Sequence, residues 1–227
     1  MSERSVAWRE KIVANLHLAD PKQIRSLFEE INPHLVGDPD FEIRWTKDRR
    51  DAAVLVGIVD RPDPAVLLTV RSSQMPTHAG QISFPGGKTA PGDKDATATA
   101  LREAHEEVNI IQGDVEVIGS LGIHEGGAGF SVTPVIGVVD PQADLRPCPR
   151  EVDEIFEVPL AFIADPASHI IETRSHNGVD YKMFATPYGE YHIWGLTAGI
   201  LRTLCDIMNA PDSDERIHAT DRKFSEG

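Results

Sequence analysis

The stretch that decides the fold is Arg102-Glu103-Ala104-His105-Glu106-Glu107, which follows the turn Phe84-Pro85-Gly86-Gly87-Lys88. Glu103, Glu106 and Glu107 stand at i, i+3 and i+4, so on a helix they share one face. Crowded carboxylates repel, and an isolated helix gains nothing from them. A hard divalent cation reverses that balance, because Mg²⁺ or Mn²⁺ takes oxygen ligands and keeps positions open for water and phosphate oxygens. The plain alternative is a solvated acidic helix face, and the glycine turn in front of the helix weighs against it.

The rest of the helix agrees. Ala96, Ala100, Leu101, Ala104 and Val108 form a complementary apolar stripe. Asp93 or Asp95 suits the N-cap, and Asn109 suits the left-handed residue that ends a helix. The pattern therefore predicts carboxylates that face outward from a buried stripe, on a rigid element beside a loop, the support that a metal site needs.

Gly87 to Ile110 resembles a Nudix box: a glycine, an acidic residue, Arg-Glu-x-x-Glu-Glu and an apolar end. The acidic residue is Asp93, where the usual box has Glu. Eight residues, one more than usual, separate it from Arg102, and Asn109 stands where a glycine is usual. A second block, Leu67-Leu68-Thr69-Val70-Arg71-Ser72 followed by His78-Ala79-Gly80-Gln81-Ile82-Ser83-Phe84-Pro85-Gly86-Gly87, is similar to the signature of the coenzyme A pyrophosphatase branch of Nudix hydrolases. Pro76 replaces an arginine common in that signature, and Ala90 an aspartate. Glu151 to Leu160 and Ile193-Trp194-Gly195 resemble the same branch. The likeness spans about residues 50 to 208.

The whole chain sets bounds. Its 227 residues suffice for one good core with an N-terminal appendage. No apolar run approaches the length of a membrane span. Met1-Ser2-Glu3-Arg4 leads into mixed charge and not into a signal peptide. Cys148 and Cys205 have no partner at zinc-ligand spacing and read as reduced thiols, so a cytoplasmic enzyme is expected. The net charge of −14 argues against a nucleic-acid surface. It also requires metal ions and a few local cations to attract a polyanionic substrate. Arg71 and Lys88 are the nearest such cations in sequence, and His78 precedes the glycine turn.

Residues 1–40 read as an N-terminal helical segment of two helices, with a linker from Pro33 to Asp40. Residues 41–210 read as the catalytic domain and 211–227 as a polar tail. Strand-like runs cover Ala52 to Val59, Ala65 to Val70, Ile82 to Phe84, Val115 to His124 and Phe130 to Val139. A small strand group follows at His169 to Arg174, Tyr181 to Thr186 and Glu190 to Trp194, with a hairpin turn at Asn177-Gly178. Leu196 to Met208 is an amphipathic helix. Strands on both sides of one helix, with a second helix late, predict an α/β protein. The Nudix resemblance implies the same architecture, an α/β/α sandwich with mixed β-sheets. The N-terminal and last helices are available as a homodimer surface.

The resemblance implies metal-assisted hydrolysis of a diphosphate. Glu103, Glu106 and Glu107 bind Mg²⁺ or Mn²⁺, Glu103 and Glu107 more firmly, and the Gly87 carbonyl adds a ligand. Arg102 orients a helix carboxylate through a bidentate pair. Glu125, Glu151, Glu154 and His78 are candidates for the general base, with Glu151 first. The expected reaction is cleavage of coenzyme A or acyl-CoA to 3′,5′-ADP and 4′-phosphopantetheine or its acyl form. ADP-ribose or NADH as substrate, or a nucleotide sensor without turnover, are the alternatives.

Overall fold

The computed structural model describes residues 3–19, 25, 28–38, 49–126, 129–176 and 178–211. Its larger sheet has eight strands: β1 (Arg50–Val59), β2 (Ala65–Arg71), β3 (Ile82–Ser83), β4 (Gly86–Lys88), β5 (Val115–Ser120), β6 (His124–Gly126), β7 (Phe130–Val139) and β8 (Val152–Pro159). The spine runs β3-β2-β1-β7-β5. In addition β4 joins β1, β6 joins β7 and β8 joins β2. The β1–β7 pair is parallel from Arg50↔Phe130 to Val59↔Val139, and the other pairs are antiparallel. A smaller antiparallel sheet holds β9 (Ile170–His176), β10 (Val179–Tyr188) and β11 (Tyr191–Trp194).

Alternation along the strands sends side chains to two cores. Ala53, Leu55, Leu67, Val135 and Val139 meet helix α2 (Ala96–Val108) through Ala100, Ala104 and Val108. Alanines at the contact let this helix lie close to the sheet. Val56, Ile58, Val66, Leu68, Ile136, Val138, Phe156 and Val158 point the other way. There they meet α1 (Glu3–Asn15), the short α3 (Leu160–Ala164) and α4 (Gly195–Asn209), with Trp8, Ile12, Ile163, Leu201 and Leu204 buried between. Helices thus cover both faces of a mixed sheet, the α/β/α sandwich expected from the sequence. Among the described residues no helix is long and apolar enough to cross a membrane.

Two local details depart from the sequence reading. The run Val115 to His124 is broken into two strands, with a register shift between Val117 and Gly119. A Cβ at Gly119 would lie 2.3 Å from Leu16 Cδ1, so the N-terminal segment fills that space. The stretch read as a linker begins with a 3-10 turn, Pro33–Leu35, that buries Leu35. Asn32 just before it is fully buried; its amide donates to the Lys182 carbonyl (2.9 Å) and accepts from the Lys182 N–H (2.6 Å). Pairing of β11 with β10 covers Ala185 to Tyr188, so Asn32 satisfies β10 where that partner is absent. Part of the second expected N-terminal helix, and the tail from Asp212, lie outside the described residues.

His124 carries a test of this packing. Its Nδ1 stands 2.8 Å from the Gly122 carbonyl and its Nε2 3.0 Å from the Thr203 hydroxyl, joining β6 to α4. The carbonyl requires the proton on Nδ1, and the Thr203 hydroxyl that faces Nε2 donates to the Gly199 carbonyl at 3.1 Å. Burial pushes the imidazole pKa down to about 4. The unfolded chain therefore binds more protons than the native one between about pH 6.5 and 4, and stability falls as pH drops through that window. The loss amounts to about 3 kcal/mol at the acid end. Melting temperature followed from pH 7 to 4 should fall less steeply in His124→Gln than in wild type. Parallel curves would show that His124 does not carry the acid sensitivity.

Candidate active site

Two glycines bring β4 against the acidic helix. A Cβ on Gly86 would stand 2.5 Å from the Ala53 carbonyl oxygen, and one on Gly87 would stand 2.6 Å from the Glu103 carboxylate. At Gly86 the obstacle is backbone, so only glycine permits the approach, whereas a side chain at Gly87 would displace the Glu103 carboxylate. The Gly86 N–H donates to Glu107 Oε2 at 3.1 Å, and Arg71 Nη1 lies 3.8 Å from Glu107 Oε1. Glu107 is 3 % exposed, so it does not face outward as the helix pattern predicted. Burial pushes its carboxyl up to about 7; Gly86 and Arg71 oppose the shift, and the charges of Glu103 and Glu151 add to it. Glu103 also rises, from burial first, with Arg102 opposing and Glu106 and Glu151 adding.

Arg102 ties the site together. Its bidentate partner is Asp93, through Nε to Oδ1 at 3.0 Å and Nη2 to Oδ2 at 2.9 Å. That pair binds the helix to the loop before it, whereas the sequence pointed to a carboxylate of the helix. The same guanidinium donates to Glu103 Oε1 (2.8 Å), Glu106 Oε2 (3.3 Å) and the Lys88 carbonyl (3.0 Å). Arg102 holds the Asp93 carboxyl well below the usual range, aided by the Ala90 N–H and the Thr99 hydroxyl. Asp95 is the N-cap, accepting from Ala98 at 2.8 Å. Arg102→Ala should therefore lower the melting temperature by roughly 5 °C or more, as well as reducing activity. Equal melting temperatures would remove the structural role.

Glu151 reaches the site by a turn hung between two elements. The Cys148 N–H donates to the Glu107 carbonyl (2.8 Å), Glu151 N–H donates to Cys148 (2.9 Å), and Ser72 N–H donates to the Glu151 carbonyl (2.9 Å). Ser72 is fully buried, and Asp153 accepts from the Ser73 N–H at 2.8 Å. Sequence reasoning missed Ser72, because nothing in its residue type marks a hub; only its place in the block Leu67 to Ser72 could have. The charge of Glu151 acts on both Glu103 and Glu107. The other base candidates are engaged elsewhere. Glu125 Oε2 lies 3.6 Å from Arg49 Nε, Glu154 accepts from the Tyr191 hydroxyl at 2.6 Å, and His78 Nδ1 stands 2.8 Å from Gln81 Oε1 on an exposed loop. Glu106 is the most open of the three helix carboxylates, with its side chain 55 % exposed. His105 is exposed.

The donor set suits a hard cation. Glu103 and Glu107 bind protons more tightly than free carboxylates, the sign of negative charge that lacks enough compensation. The Gly87 position is a cradle that a Cβ would fill. Among the described residues no three His, Cys, Asp or Glu side chains already converge on one point. Arg102 pairs with Glu103 and Glu106, so a divalent ion there would share these carboxylates with the guanidinium.

The chain is similar to known proteins. The NUDIX domain family model matches residues 48–173. "Uncharacterized Nudix hydrolase NudL" of Photorhabdus laumondii is 41% identical over 179 residues, covering 79% of this chain and 96% of that protein. The protein of the same name from Escherichia coli K12 is 43% identical over 161 residues, covering 71% and 84%. Among solved structures, a C. elegans Ap4A hydrolase binary complex is 24% identical, covers 49% of this chain and 81% of that one, and superposes with a TM-score of 0.42.

Proposed function

Because the chain belongs to the NUDIX domain family and is a Nudix hydrolase, we propose that it cleaves the diphosphate of coenzyme A or acyl-CoA to 3′,5′-ADP and 4′-phosphopantetheine or its acyl form. One observation supports this reading most. The two sequence blocks that resemble the coenzyme A pyrophosphatase branch are hydrogen-bonded to each other beside the carboxylates. Arg71 N–H donates to the Gln81 carbonyl (2.9 Å), and Gly80 N–H donates to the Arg71 carbonyl (3.0 Å). Arg71 and Gly86, one from each block, both meet Glu107.

Glu103, Glu107 and Glu106, with the Gly87 carbonyl, would hold Mg²⁺ or Mn²⁺. Such an ion neutralises diphosphate charge and lowers the pKa of water. Glu151 takes the proton of the attacking water. The new bond joins the water oxygen to phosphorus, and the anhydride P–O bond breaks, the bridging oxygen leaving with the other phosphate. Arg102 keeps Glu103 in place, and the Gly86 N–H fixes one oxygen of Glu107. The test is product analysis after incubation with Mn²⁺ and a panel of coenzyme A, ADP-ribose, NADH and diadenosine polyphosphates. Coenzyme A should be cleaved in preference to ADP-ribose, with a strict need for the cation. Should ADP-ribose be the better substrate at equal concentration, the coenzyme A reading fails and the general hydrolase remains.

A further inference from the structure

Arg71 and Lys88 are the cations that the sequence offers to a polyanionic substrate. In the fold the Arg71 guanidinium faces Glu107, with 21 % of the side chain exposed. Lys88 and Arg50 are more accessible. The register aligns Arg50 of β1 with Phe130 of β7, and Ala52 of β1 with Lys88 of β4. Positions two apart on a strand share a face, so Arg50, Phe130 and Lys88 meet on one side of the sheet. The Arg50 guanidinium carbon lies 4.2 Å from the Phe130 ring centroid, and Lys88 Nζ lies 5.7 Å from it.

Both cations are exposed. Among the described residues, neither is ion-paired. In a chain of net charge −14, two exposed cations beside one ring, neither ion-paired among the described residues, make a local positive patch. A bound anion would relieve their repulsion. The patch lies at the same end of β4 as the site but on the other face of the sheet, since successive residues of a strand point to opposite faces. Lys88 follows Gly87, which abuts the Glu103 carboxylate, and the Lys88 carbonyl accepts from Arg102.

We propose that Arg50, Phe130 and Lys88 form a subsite for a phosphomonoester on the nucleoside end of the substrate, outside the diphosphate that is cleaved. This deepens the coenzyme A reading and rests on it for the identity of the substrate. A phosphomonoester carries close to two negative charges at neutral pH, which matches two monocations. The planar guanidinium offers paired donors, the ammonium a point charge, and the ring a surface beside them. A substrate with a bare ribose at that position leaves both cations unmatched.

Binding without turnover separates this subsite from the reaction. The probes are adenosine 3′,5′-bisphosphate and adenosine 5′-monophosphate, titrated calorimetrically into wild type, Arg50→Ala, Lys88→Ala, Arg50→Lys and Arg61→Ala. Arg61 pairs with Glu157 at the far end of β1 and controls for loss of one positive charge. Wild type should favour the bisphosphate by about tenfold or more, the scale of one charge-assisted contact. Arg50→Ala and Lys88→Ala should each shrink that preference several-fold, Arg50→Lys should restore part of it, and Arg61→Ala should keep it. Circular dichroism melting identifies any variant that fails to fold. An equal preference in wild type and in both folded alanine variants overturns the subsite, whatever the panel of substrates gives. Loss of preference in the alanine variants supports it even if coenzyme A proves a poor substrate, in which case only the reading of the reaction falls.

Discussion

Glu107→Gln should abolish turnover and make the metal-free protein more stable. Both effects come from one buried negative charge. Glutamine keeps the shape and an oxygen that can accept from Gly86, but it removes the charge that would bind the cation. A loss of at least about a thousandfold in kcat/KM corresponds to several kcal/mol of transition-state stabilisation, the scale of a metal ion's contribution. The stability effect has a defined pH signature. With the native carboxyl near 7 and an ordinary value of 4.5, the native state binds more protons than the unfolded one in that window. Stability therefore falls as pH rises from 4.5 to 7, and the full deficit is present above 7. It amounts to about 3 kcal/mol, less whatever the variant loses in the contact with Arg71. Melting in EDTA should show a larger gain for Glu107→Gln at pH 8 than at pH 5. Glu103→Gln should lose turnover equally, with a smaller gain because Arg102 already compensates Glu103 at 2.8 Å. Wild-type kinetics with unchanged metal dependence in either variant would end the metal assignment.

The acidic helix was readable in the sequence because the information is local. The i, i+3, i+4 carboxylates, the Ala100, Ala104 and Val108 stripe, and Asn109 at φ 62° all lie within one element. The sandwich was readable in the order of elements, strands on both sides of one helix with a second helix late, together with the Nudix resemblance. What was not readable depends on distant pairing. Glu107 is buried only because β4 folds across it, held by Gly86 against Ala53 and Val54 of β1. Asp93 looked like a cap, and its pairing with Arg102 follows from a loop that turns back through the Ala90 N–H. Arg71 looked like a free cation because nothing in its own block reveals a carboxylate 36 positions later. The break at Gly119 answers to Leu16, more than a hundred residues earlier.

Glu151→Gln should cost about 10² to 10⁴ in kcat while leaving KM, metal affinity and melting temperature near wild type, the range for loss of a general base. The role needs a carboxylate close to the reacting water but outside the tight grip of the metal ligands. Glu151 is the candidate that the proposed mechanism places in this role. Its charge is felt by Glu103 and Glu107, and it is half-buried on a turn fixed at Cys148 and Ser72. That turn ties the end of β2 to the last turn of α2, so the carboxylate is carried by rigid elements and not by a free loop. Glu154 and Glu125 make the comparison informative. Glu154 is occupied by the Tyr191 hydroxyl and Glu125 faces Arg49. Their glutamine variants should change kcat by no more than about fivefold, well below the loss of a base. If Glu125→Gln or Glu154→Gln shows the large loss of kcat while Glu151→Gln keeps wild-type kcat, the base lies at that residue, and the turn from Cys148 to Val152 serves only to brace the helix that carries Glu107.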